Sequence, residues 1–502
     1  GRTLSKAKNI EDVKLIKSMN MNAVRLSHYP ADPEFLEACD SLGLYVECEL
    51  SGWHWAHPTI VGKQLVKEMI TRDENHPSII FWSNGNEGGF NYGLEPDFAF
   101  WDKQKRVVLY PWANRNGFET KHYRSYGETQ EYMRQKEIFM PTEFLHGLYD
   151  GGHGAGLKDY WDMMMANPRC AGGFLWDLMD QGVVRTDKNN YVDCMGNFGA
   201  DGIVGPHAEK EGSYYTIKEV WCPVQLTWND VEKGELTLSN QYNFVNLKDC
   251  RFSYRLLQMP AMGSTQVKVL KQGNLSSPDV APGKEAQVKI PMMANADAVE
   301  IKAVNHEGEE IMTWSRGVKS EERRVKNSSA PSTSSAAYAD QADAVEVKAG
   351  GRTYRFAKKD GRLMGVEVGS KAISLSNGPR FMAARRSDRS LDQFYNHDDK
   401  EAEKKKTLYT EFVDQGAFAG FEWKEAEAKL VATYQHGSLD EVDWQFLSDG
   451  SVAVTCHYNF GGVVDMMGMA FDYPESKVRS KAWVGNGPYR VWQNREQGPQ
   501  YG

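Results

Sequence analysis

The segment Ser78–Gly89, SIIFWSNGNEGG, is the part of the sequence that decides the fold. It begins with an apolar run, Ile79 to Trp82, which is too short for a buried helix and has the length of a buried parallel strand. The run leads into a glycine-rich loop that carries Asn86 and Glu87. Catalytic groups of an (α/β) barrel stand at the carboxyl ends of such strands, so the segment predicts a barrel with Glu87 in its site. A carboxylate that only caps the next helix is the alternative interpretation.

A second short apolar run that ends in a glutamate is Ile138–Phe144, IFMPTEF, which contains Glu143. Two glutamates at strand ends of one barrel suit the hydrolysis of a glycosidic bond, because one carboxyl group protonates the leaving oxygen while the other attacks the sugar. We therefore predict that Glu87 and Glu143 are paired, about 5–5.5 Å apart as in retaining enzymes.

Predicted strands alternate with helices over residues 1–222, which is typical of a parallel sheet. The predicted strands are Asn22–Leu26, Leu44–Leu50, the strand from Ser78, Val107–Tyr110, Lys121–Tyr126, Glu137–Glu143 and Gly172–Asp177. They are one fewer than the eight of a closed barrel. The sequence thus predicts a (β/α)8 TIM barrel whose first strand is missing, upstream of Gly1.

After Trp221 the pattern changes to period-two alternation with turns between the runs, which predicts an all-β sandwich over residues 223–325. The predicted strands are Val224–Trp228, Glu235–Gln241, Arg251–Leu257, Gln287–Ile290 and Ala298–Val304. Residues 326–344 are rich in serine and alanine and predict a linker. Residues 345–502 carry strand and hairpin signals of a second, larger β-sandwich that is incomplete at its C-terminal end.

Composition excludes several classes of function. The 502-residue chain has a formal net charge of -9, so nothing indicates a nucleic-acid or anionic-membrane partner. It has no apolar run of about 18 residues that could span a membrane. Its 7 cysteines are scattered, without metal-binding spacing, and their odd number argues against a disulfide framework. The 12% of aromatic residues suits both sandwich cores and sugar-stacking platforms.

Four motifs, in this order and spacing, resemble glycoside hydrolase family 2 in its β-galactosidase branch. They are Asn22–Pro30 (NAVRLSHYP), Asn75–Glu87 (NHPSIIFWSNGNE), Thr142–Phe144 (TEF) and Gly172–Asp177 (GGFLWD). Near the C-terminus, Trp483–Tyr489 (WVGNGPY) resembles a motif of that branch's large C-terminal β-sandwich. The resemblance implies a TIM barrel followed by an immunoglobulin-like sandwich and this larger sandwich. It also implies that two front sandwich domains and the first barrel strand are missing from the chain.

The resemblance implies a role for each site residue. Glu87 matches the general acid/base, and Glu143 matches the nucleophile that forms a glycosyl-enzyme. We expect partial burial and the second carboxylate to raise the pKa of Glu87. The other matches are Asn86 at the sugar 2-hydroxyl, His28 and His146 at further hydroxyls, Trp176 as the aromatic floor of the glycone subsite, and Tyr126 as the tyrosine that hydrogen-bonds the nucleophile. A structural role is the alternative for each of them.

Three more residues are candidates for the substrate cleft. Trp53 and His54 form one wall of it, and Asp201, in the loop after the last strand, completes the sugar pocket. The family's magnesium motif, Glu-x-His, is absent where the sequence reads Glu49 to His54, so no metal ligand is predicted. Whether Mg²⁺ or Na⁺ binds near the site stays open. The Asn-x-Lys motif that grips a uronic acid is also absent after Trp176, which disfavours that substrate.

These features predict an exo-acting retaining β-glycosidase, in first place a β-galactosidase acting on terminal β-galactosides of oligo- or polysaccharides. A β-glucuronidase or β-mannosidase is the alternative within the family. A non-catalytic carbohydrate-binding protein is the alternative of another class, and loss of either glutamate would favour it. The predicted partner is a carbohydrate, homo-oligomerisation stays open, and an extracytoplasmic location is inferred from the family alone.

Overall fold

The computed structural model describes residues 4–148, 153–196, 198–260, 264–318, 336–386, 409–412, 416–448, 450–488 and 496–502. The chain divides into two compact units. The first unit comprises Gly1–Lys319 and Val484–Gly502, and the second comprises Ser320–Trp483.

The N-terminal part of the first unit alternates helices with strands. The strands are β1 (Ala23–Arg25), β2 (Tyr45–Trp53), β3 (Ile79–Asn86), β4 (Val107–Leu109), β5 (Asn114–Arg115), β6 (Phe118–Glu119), β7 (Ile138–Phe139), β8 (Val183–Arg185) and β9 (Tyr191–Asp193). The helices are α1 (Lys6–Ser18), α2 (Pro33–Leu42), α3 (Thr59–Asp73), α4 (Glu95–Trp101), α5 (Tyr126–Tyr132), α6 (Leu157–Met165) and α7 (Gly212–Val220).

Parallel pairing builds the barrel in chain order. β1 to β4 form one parallel sheet, and β6 pairs in parallel with β7. Parallel bridges then join Phe139 to Cys170 and Phe144 to Leu175, so the segment predicted as the strand Gly172–Asp177 joins the barrel through single bridges. Within the described ranges β1 pairs with β2 alone. A cavity of about 710 Å³ is lined by residues of β1 and of the segment around Trp176.

Local signals explain how the helices are positioned on this sheet. α2 begins at Pro33, whose fixed φ suits a first helical residue, and ends before Gly43, whose φ of 73° is left-handed. Its side chains Leu36 and Cys39 are fully buried in the core between helices and sheet. Burying a leucine in this way contributes about 1.5–3 kcal/mol.

The structure contradicts the strand predicted at Lys121–Tyr126. The nearest strand, the two-residue β6, ends at Glu119 before this range, and the range itself leads into α5 at Tyr126. Ser125 and Glu128 form a capping box, which satisfies free backbone N–H groups and begins α5. Tyr126 is therefore the first residue of a helix and is 43% exposed.

A β-sandwich follows the barrel within the first unit. Its strands are β10 (Val224–Asp230), β11 (Glu235–Asn240), β12 (Arg251–Gln258), β13 (Lys268–Leu275), β14 (Glu285–Lys289), β15 (Ala298–Val304) and β16 (Glu310–Gly317). One sheet has the order β10-β11-β14 and the other β13-β12-β15-β16. Side chains of both sheets, among them Leu238, Phe252 and Ile301, share one core. The sequence prediction missed β13 and β16.

The second unit is also built of antiparallel sheets. Its strands are β17 (Ala337–Asp340), β18 (Ala344–Ala349), β19 (Arg352–Ala357), β20 (Leu363–Val368), β21 (Lys371–Ile373), β22 (Ser376–Arg386), β23 (Tyr409–Phe412), β24 (Ala417–Lys424), β25 (Lys429–Gln435), β26 (Leu439–Phe446), β27 (Val452–Tyr458) and β28 (Met466–Asp472). β17 lies inside the predicted linker, of which residues 326–335 are outside the described residues.

The last residues of the chain belong to the first unit, although the sequence assigned them to the second sandwich. They contain β29 (Asn486–Gly487) and β30 (Gln500–Tyr501), which pair with each other. The N–H of Tyr501 donates to Ser315 Oγ of β16 at 2.5 Å. None of the helices in the described ranges has the length and hydropathy that a membrane crossing requires.

Candidate active site

Glu143, four residues after β7, is a buried carboxylate held from two sides. It is 4% exposed. Its Oε1 accepts a hydrogen bond from Arg25 Nη1 at 2.7 Å, and its Oε2 accepts one from the hydroxyl of Tyr123. Charge-assisted contacts of this kind fix the orientation of a carboxylate.

Tyr123, and not the predicted Tyr126, is the tyrosine beside Glu143. Tyr126 packs its ring edge-on against Tyr160, 5.5 Å away, so that prediction is wrong. Tyr123 has a left-handed backbone, with φ 49°, in the turn before α5. Burial and the neighbouring Glu143 raise the pKa of Tyr123, so its hydroxyl stays protonated and donates a hydrogen bond to the carboxylate.

Arg25, in β1, is a buried cation that the sequence reasoning missed. Its Nε and Nη2 donate to Glu49 Oε2 at 2.9 and 2.6 Å, and its Nη2 also donates to Asn86 Oδ1 at 2.7 Å. A third carboxylate, Glu47, lies 3.7 Å from its Nε. Burial alone would lower the pKa of Arg25, but the negative charges of Glu49, Glu143 and Glu47 outweigh burial, so the pKa is raised overall. The feature of the sequence that could have identified Arg25 is its position inside an otherwise apolar strand.

Glu87 directly follows β3 and is held by uncharged side chains. Its backbone is left-handed, with φ 44°, and its side chain is 14% exposed. Its Oε1 lies 3.0 Å from His122 Nδ1, and its Oε2 accepts a hydrogen bond from Trp53 Nε1 at 3.0 Å. Burial raises the pKa of Glu87, as predicted, but hydrogen bonds from His122 and Trp53 outweigh it and bring the pKa to about 2. The predicted upward shift is therefore contradicted as long as both groups donate.

His122 lies between the two glutamates and was not singled out in the sequence. Its Nδ1 is 3.0 Å from Glu87 Oε1 and 3.5 Å from Glu143 Oε2. One oxygen of each glutamate and a nitrogen of His122 all lie within 4.8 Å of one another. Burial lowers the pKa of His122, which keeps the imidazole neutral at pH 7.

Aromatic rings line the entrance to this pair. The His28 ring stacks on Trp176 at 5.2 Å and on Trp53 at 6.2 Å, with the planes within 11° of parallel in both cases. His28 Nδ1 lies 2.9 Å from Glu49 Oε1, which fixes the ring. The structure thus brings His28, Trp53 and Trp176 together beside Glu87 and Glu143, and His54 Nδ1 lies 2.9 Å from the backbone oxygen of Glu87.

Two further carboxyl groups, Asp177 and Asp201, lie next to Trp176. Trp176 Nε1 donates to Asp201 Oδ2 at 3.1 Å, and His146 Nε2 lies 3.9 Å from the same oxygen. Burial lowers the pKa of His146 to about 4. Burial and Asp201 raise the pKa of Asp177 to about 8. The Oδ1 atoms of Asp177 and Asp201 are buried without a hydrogen-bond partner among the described residues, so they are free to bind hydroxyl groups.

The residues at the position of the family's magnesium motif do not fit a metal ion. Both oxygens of Glu49 are bonded, one to Arg25 and one to His28. His54 is 48% exposed, and its ring is bonded to the backbone oxygen of Glu87. The guanidinium group of Arg25 thus already binds the carboxylate that a magnesium ion would need.

Two parts of the chain match known protein families. Residues 1–203 match the family described as "Glycosyl hydrolases family 2, TIM barrel domain", and residues 236–314 match "Beta-galactosidase, domain 4". The β-galactosidase of Pectobacterium atrosepticum is 31% identical over 288 residues, which are 49% of this chain and 27% of the relative. That of Pseudoalteromonas haloplanktis is 34% identical over 234 residues, which are 40% of this chain and 22% of the relative.

The chain spans less than a third of the length of these curated relatives. The solved structure of the β-glucuronidase of Faecalibacterium prausnitzii is 23% identical to this chain, with a TM-score of 0.35, and the match covers 44% of this chain and 46% of the other. On its sequence matches over the barrel and the following sandwich, the chain belongs to glycoside hydrolase family 2.

Proposed function

We propose that this protein is a retaining β-glycosidase in which Glu143 is the nucleophile and Glu87 the general acid/base. The observation that carries the proposal is the approach of the two carboxyl groups, with one oxygen of each within 4.8 Å. Inverting enzymes hold a water between carboxyls that are ~6.5–9.5 Å apart, whereas retaining pairs stand at ~5–5.5 Å.

The contacts of Glu143 suit a nucleophile. Arg25 and Tyr123 hold its two oxygens, so one orientation is available for attack on the anomeric carbon. When the carboxylate becomes an ester its charge is lost, and Arg25 stays neutralised because it also pairs with Glu49. Glu87 gives a proton to the leaving oxygen in the first step and takes one from the attacking water in the second.

The glycone pocket suits a neutral sugar with several hydroxyl groups. Asn86 has its Oδ1 fixed by Arg25, which leaves its Nδ2 as a donor for the 2-hydroxyl. Asp177 and Asp201 offer buried oxygens to further hydroxyls. A uronic acid would bring a third carboxylate to these two, so the pocket disfavours a glucuronide. Together with the β-galactosidase relatives, this supports a terminal β-galactoside as substrate.

The rim beside Glu87 suits a leaving group that is itself a sugar. Trp53, Trp55 and Trp112 are 58%, 86% and 36% exposed. Exposed indole faces match the C–H faces of pyranose rings. We therefore propose β-galactosides of oligo- or polysaccharides, and expect them to be cleaved with a lower KM than a p-nitrophenyl β-galactoside.

The test is a panel of p-nitrophenyl β-glycosides offered to the full-length protein, its Glu143→Ala variant and a Glu68→Gln control on the exposed face of α3. Hydrolysis of the galactoside, with retention of the anomeric configuration by NMR, is expected for wild type and control and should be abolished in Glu143→Ala. Cleavage of only the glucuronide or only the mannoside would identify the protein as a β-glucuronidase or a β-mannosidase instead. Binding of galactosides without any cleavage would favour a carbohydrate-binding protein.

A further inference from the structure

A chain of buried hydrogen bonds connects the backbone to Glu87 through His122. His122 Nε2 lies 2.8 Å from Thr142 Oγ1, and Thr142 Oγ1 in turn donates to the backbone oxygen of Thr120 at 3.3 Å. At the other end, His122 Nδ1 lies 3.0 Å from Glu87 Oε1. Thr120, His122 and Thr142 are each at most 2% exposed, so water does not compete along the chain.

The direction of the bond from Thr142 to the carbonyl of Thr120 fixes the direction of the two bonds that His122 makes. A hydroxyl group carries one proton. If Thr142 donates that proton to the carbonyl of Thr120, which can only accept, its oxygen must accept from His122 Nε2–H. A neutral imidazole has one N–H, so Nδ1 is then a bare acceptor that faces Glu87.

We propose that the Thr120–Thr142 bond holds His122 with its proton on Nε2, so that Nδ1 accepts a hydrogen bond from protonated Glu87. His122 and Thr142 are then positioning residues that favour the acid form of Glu87. This rests on the proposed function, because only a glycosidase needs Glu87 as an acid.

The arrangement answers a difficulty in the site. A general acid must carry its proton near the working pH. Hydrogen bonds donated to Glu87 favour its carboxylate, whereas a hydrogen bond accepted from it favours the acid. Trp53 Nε1–H donates in either case, so His122 is the neighbour whose tautomer changes the balance. The other charged or titratable groups that face His122 and Glu87 are Glu143, Arg25, Tyr123, His54 and His146.

The first test is the pH profile of kcat/KM for a substrate with a poor leaving group, measured on the full-length protein. Both His122→Met and Thr142→Val should move the alkaline limb, which reports the acid, down by about one pH unit. Thr142→Ser keeps the hydroxyl and should restore the wild-type limb. A limb that moves up in His122→Met would mean that His122 donates to Glu87, and would overturn the proposal.

The leaving group separates this role from a merely structural one. A 2,4-dinitrophenolate leaving group departs without protonation, so kcat/KM for its glycoside, which reports formation of the glycosyl-enzyme, should be nearly unchanged in His122→Met and Thr142→Val. Equal losses on both substrates would overturn the proposal in favour of a packing role.

A second readout does not depend on activity. In protein labelled with ¹⁵N-histidine, the two ring nitrogens of His122 are assigned by their loss in His122→Met, and their shifts report which one is protonated. A proton on Nε2, lost from that nitrogen in Thr142→Val, is expected, and a proton on Nδ1 would overturn the proposal. If no glycoside is cleaved, the proposed function fails, while this measurement still decides the tautomer.

Discussion

The surroundings of Glu143 and of Glu87 differ, although one carboxyl oxygen of each lies within 4.8 Å of the other. Glu143 is 4% exposed and is bonded to a charged arginine and a tyrosine. Glu87 is the more exposed of the two and is bonded to two neutral groups, an indole and an imidazole. Each environment matches one chemical task, because a nucleophile must keep one charge state and one orientation whereas an acid/base must change its protonation in every turnover.

Thr142 is where the two environments meet. Its backbone oxygen accepts from Arg25 Nη1 at 3.2 Å on the nucleophile's side, and its hydroxyl contacts His122 on the acid's side. Glu143 is the next residue in the chain. In the proposed mechanism, the short segment after β7 therefore contacts both the cation that pairs with Glu143 and the histidine that controls the protonation of Glu87. Substitutions can separate these two effects.

The largest effect is expected from Arg25→Met, which removes the cation of the nucleophile's side. Glu47, Glu49 and Glu143 would then share a buried space without a positive charge, and breaking a buried pair costs ~3–5 kcal/mol. We expect this loss in the free energy of unfolding by urea, together with loss of activity. The matched control is Arg134→Met, whose surface pair with Glu131 should contribute less than ~1 kcal/mol. Equal stability of the two variants would refute this role of Arg25.

The next effect distinguishes two tyrosines three residues apart. Tyr123→Phe removes the hydroxyl that donates to Glu143, and a hydrogen bond to a charged group contributes ~1.5–3 kcal/mol, so kcat should fall ~10- to 150-fold. Tyr126→Phe, at the start of α5, should leave kcat within about twofold. Steady-state kinetics on one galactoside checks both, and a larger loss in Tyr126→Phe would support the assignment made from the sequence.

That pair of tyrosines also marks where sequence reasoning stops. The glutamates were predictable because an apolar run and the acid that ends it are neighbours in the chain, and the fold places strand ends together. Tyr123 was missed because β6 ends at Glu119 and the backbone of Tyr123 is left-handed, with φ 49°, so the alternation of a strand does not describe this segment, which leads into the capping box at Ser125. The helix start depends on hydrogen bonds between the Ser125 and Glu128 side chains and the backbone, which a pattern of apolar and polar residues does not reveal.

Arg25 and His122 were missed for another reason. Both are buried polar groups whose partners, Glu49 and Glu87, come from other strands. A sequence shows that a strand contains an arginine, but not that carboxylates from neighbouring strands will surround it. Burial of a charge is tolerated only with such partners, so the site's electrostatics follow from tertiary structure.

A smaller effect tests the neutral environment of Glu87. Trp53→Phe keeps an aromatic ring beside His28 but removes the N–H that donates to Oε2. Because that bond lowers the pKa of Glu87, its loss should raise the pKa and move the alkaline limb of kcat/KM up by about half to one pH unit. This is the direction opposite to that expected for His122→Met. Trp101→Phe on α4 is the matched control, and a downward shift in Trp53→Phe would contradict the assignment of the bond.

The smallest effect on turnover is expected at Glu47, which acts on the pH dependence of stability. Burial raises the pKa of Glu47 to about 8, against 4.5 for an ordinary glutamate, and Arg25 only partly offsets this. The unfolded chain therefore releases the proton at lower pH than the folded one, and stability is lost as the pH rises from about 4.5 through about 8. Each pH unit in that window should remove up to ~1 kcal/mol. Glu47→Gln cannot ionise, so its unfolding free energy between pH 5 and pH 8 should be flatter than wild type by ~1–3 kcal/mol, whereas the exposed Glu68→Gln should retain the wild-type slope. An unchanged slope in Glu47→Gln would mean that Arg25 keeps Glu47 ionised, and that the cation of the nucleophile's side is shared among three charges rather than two.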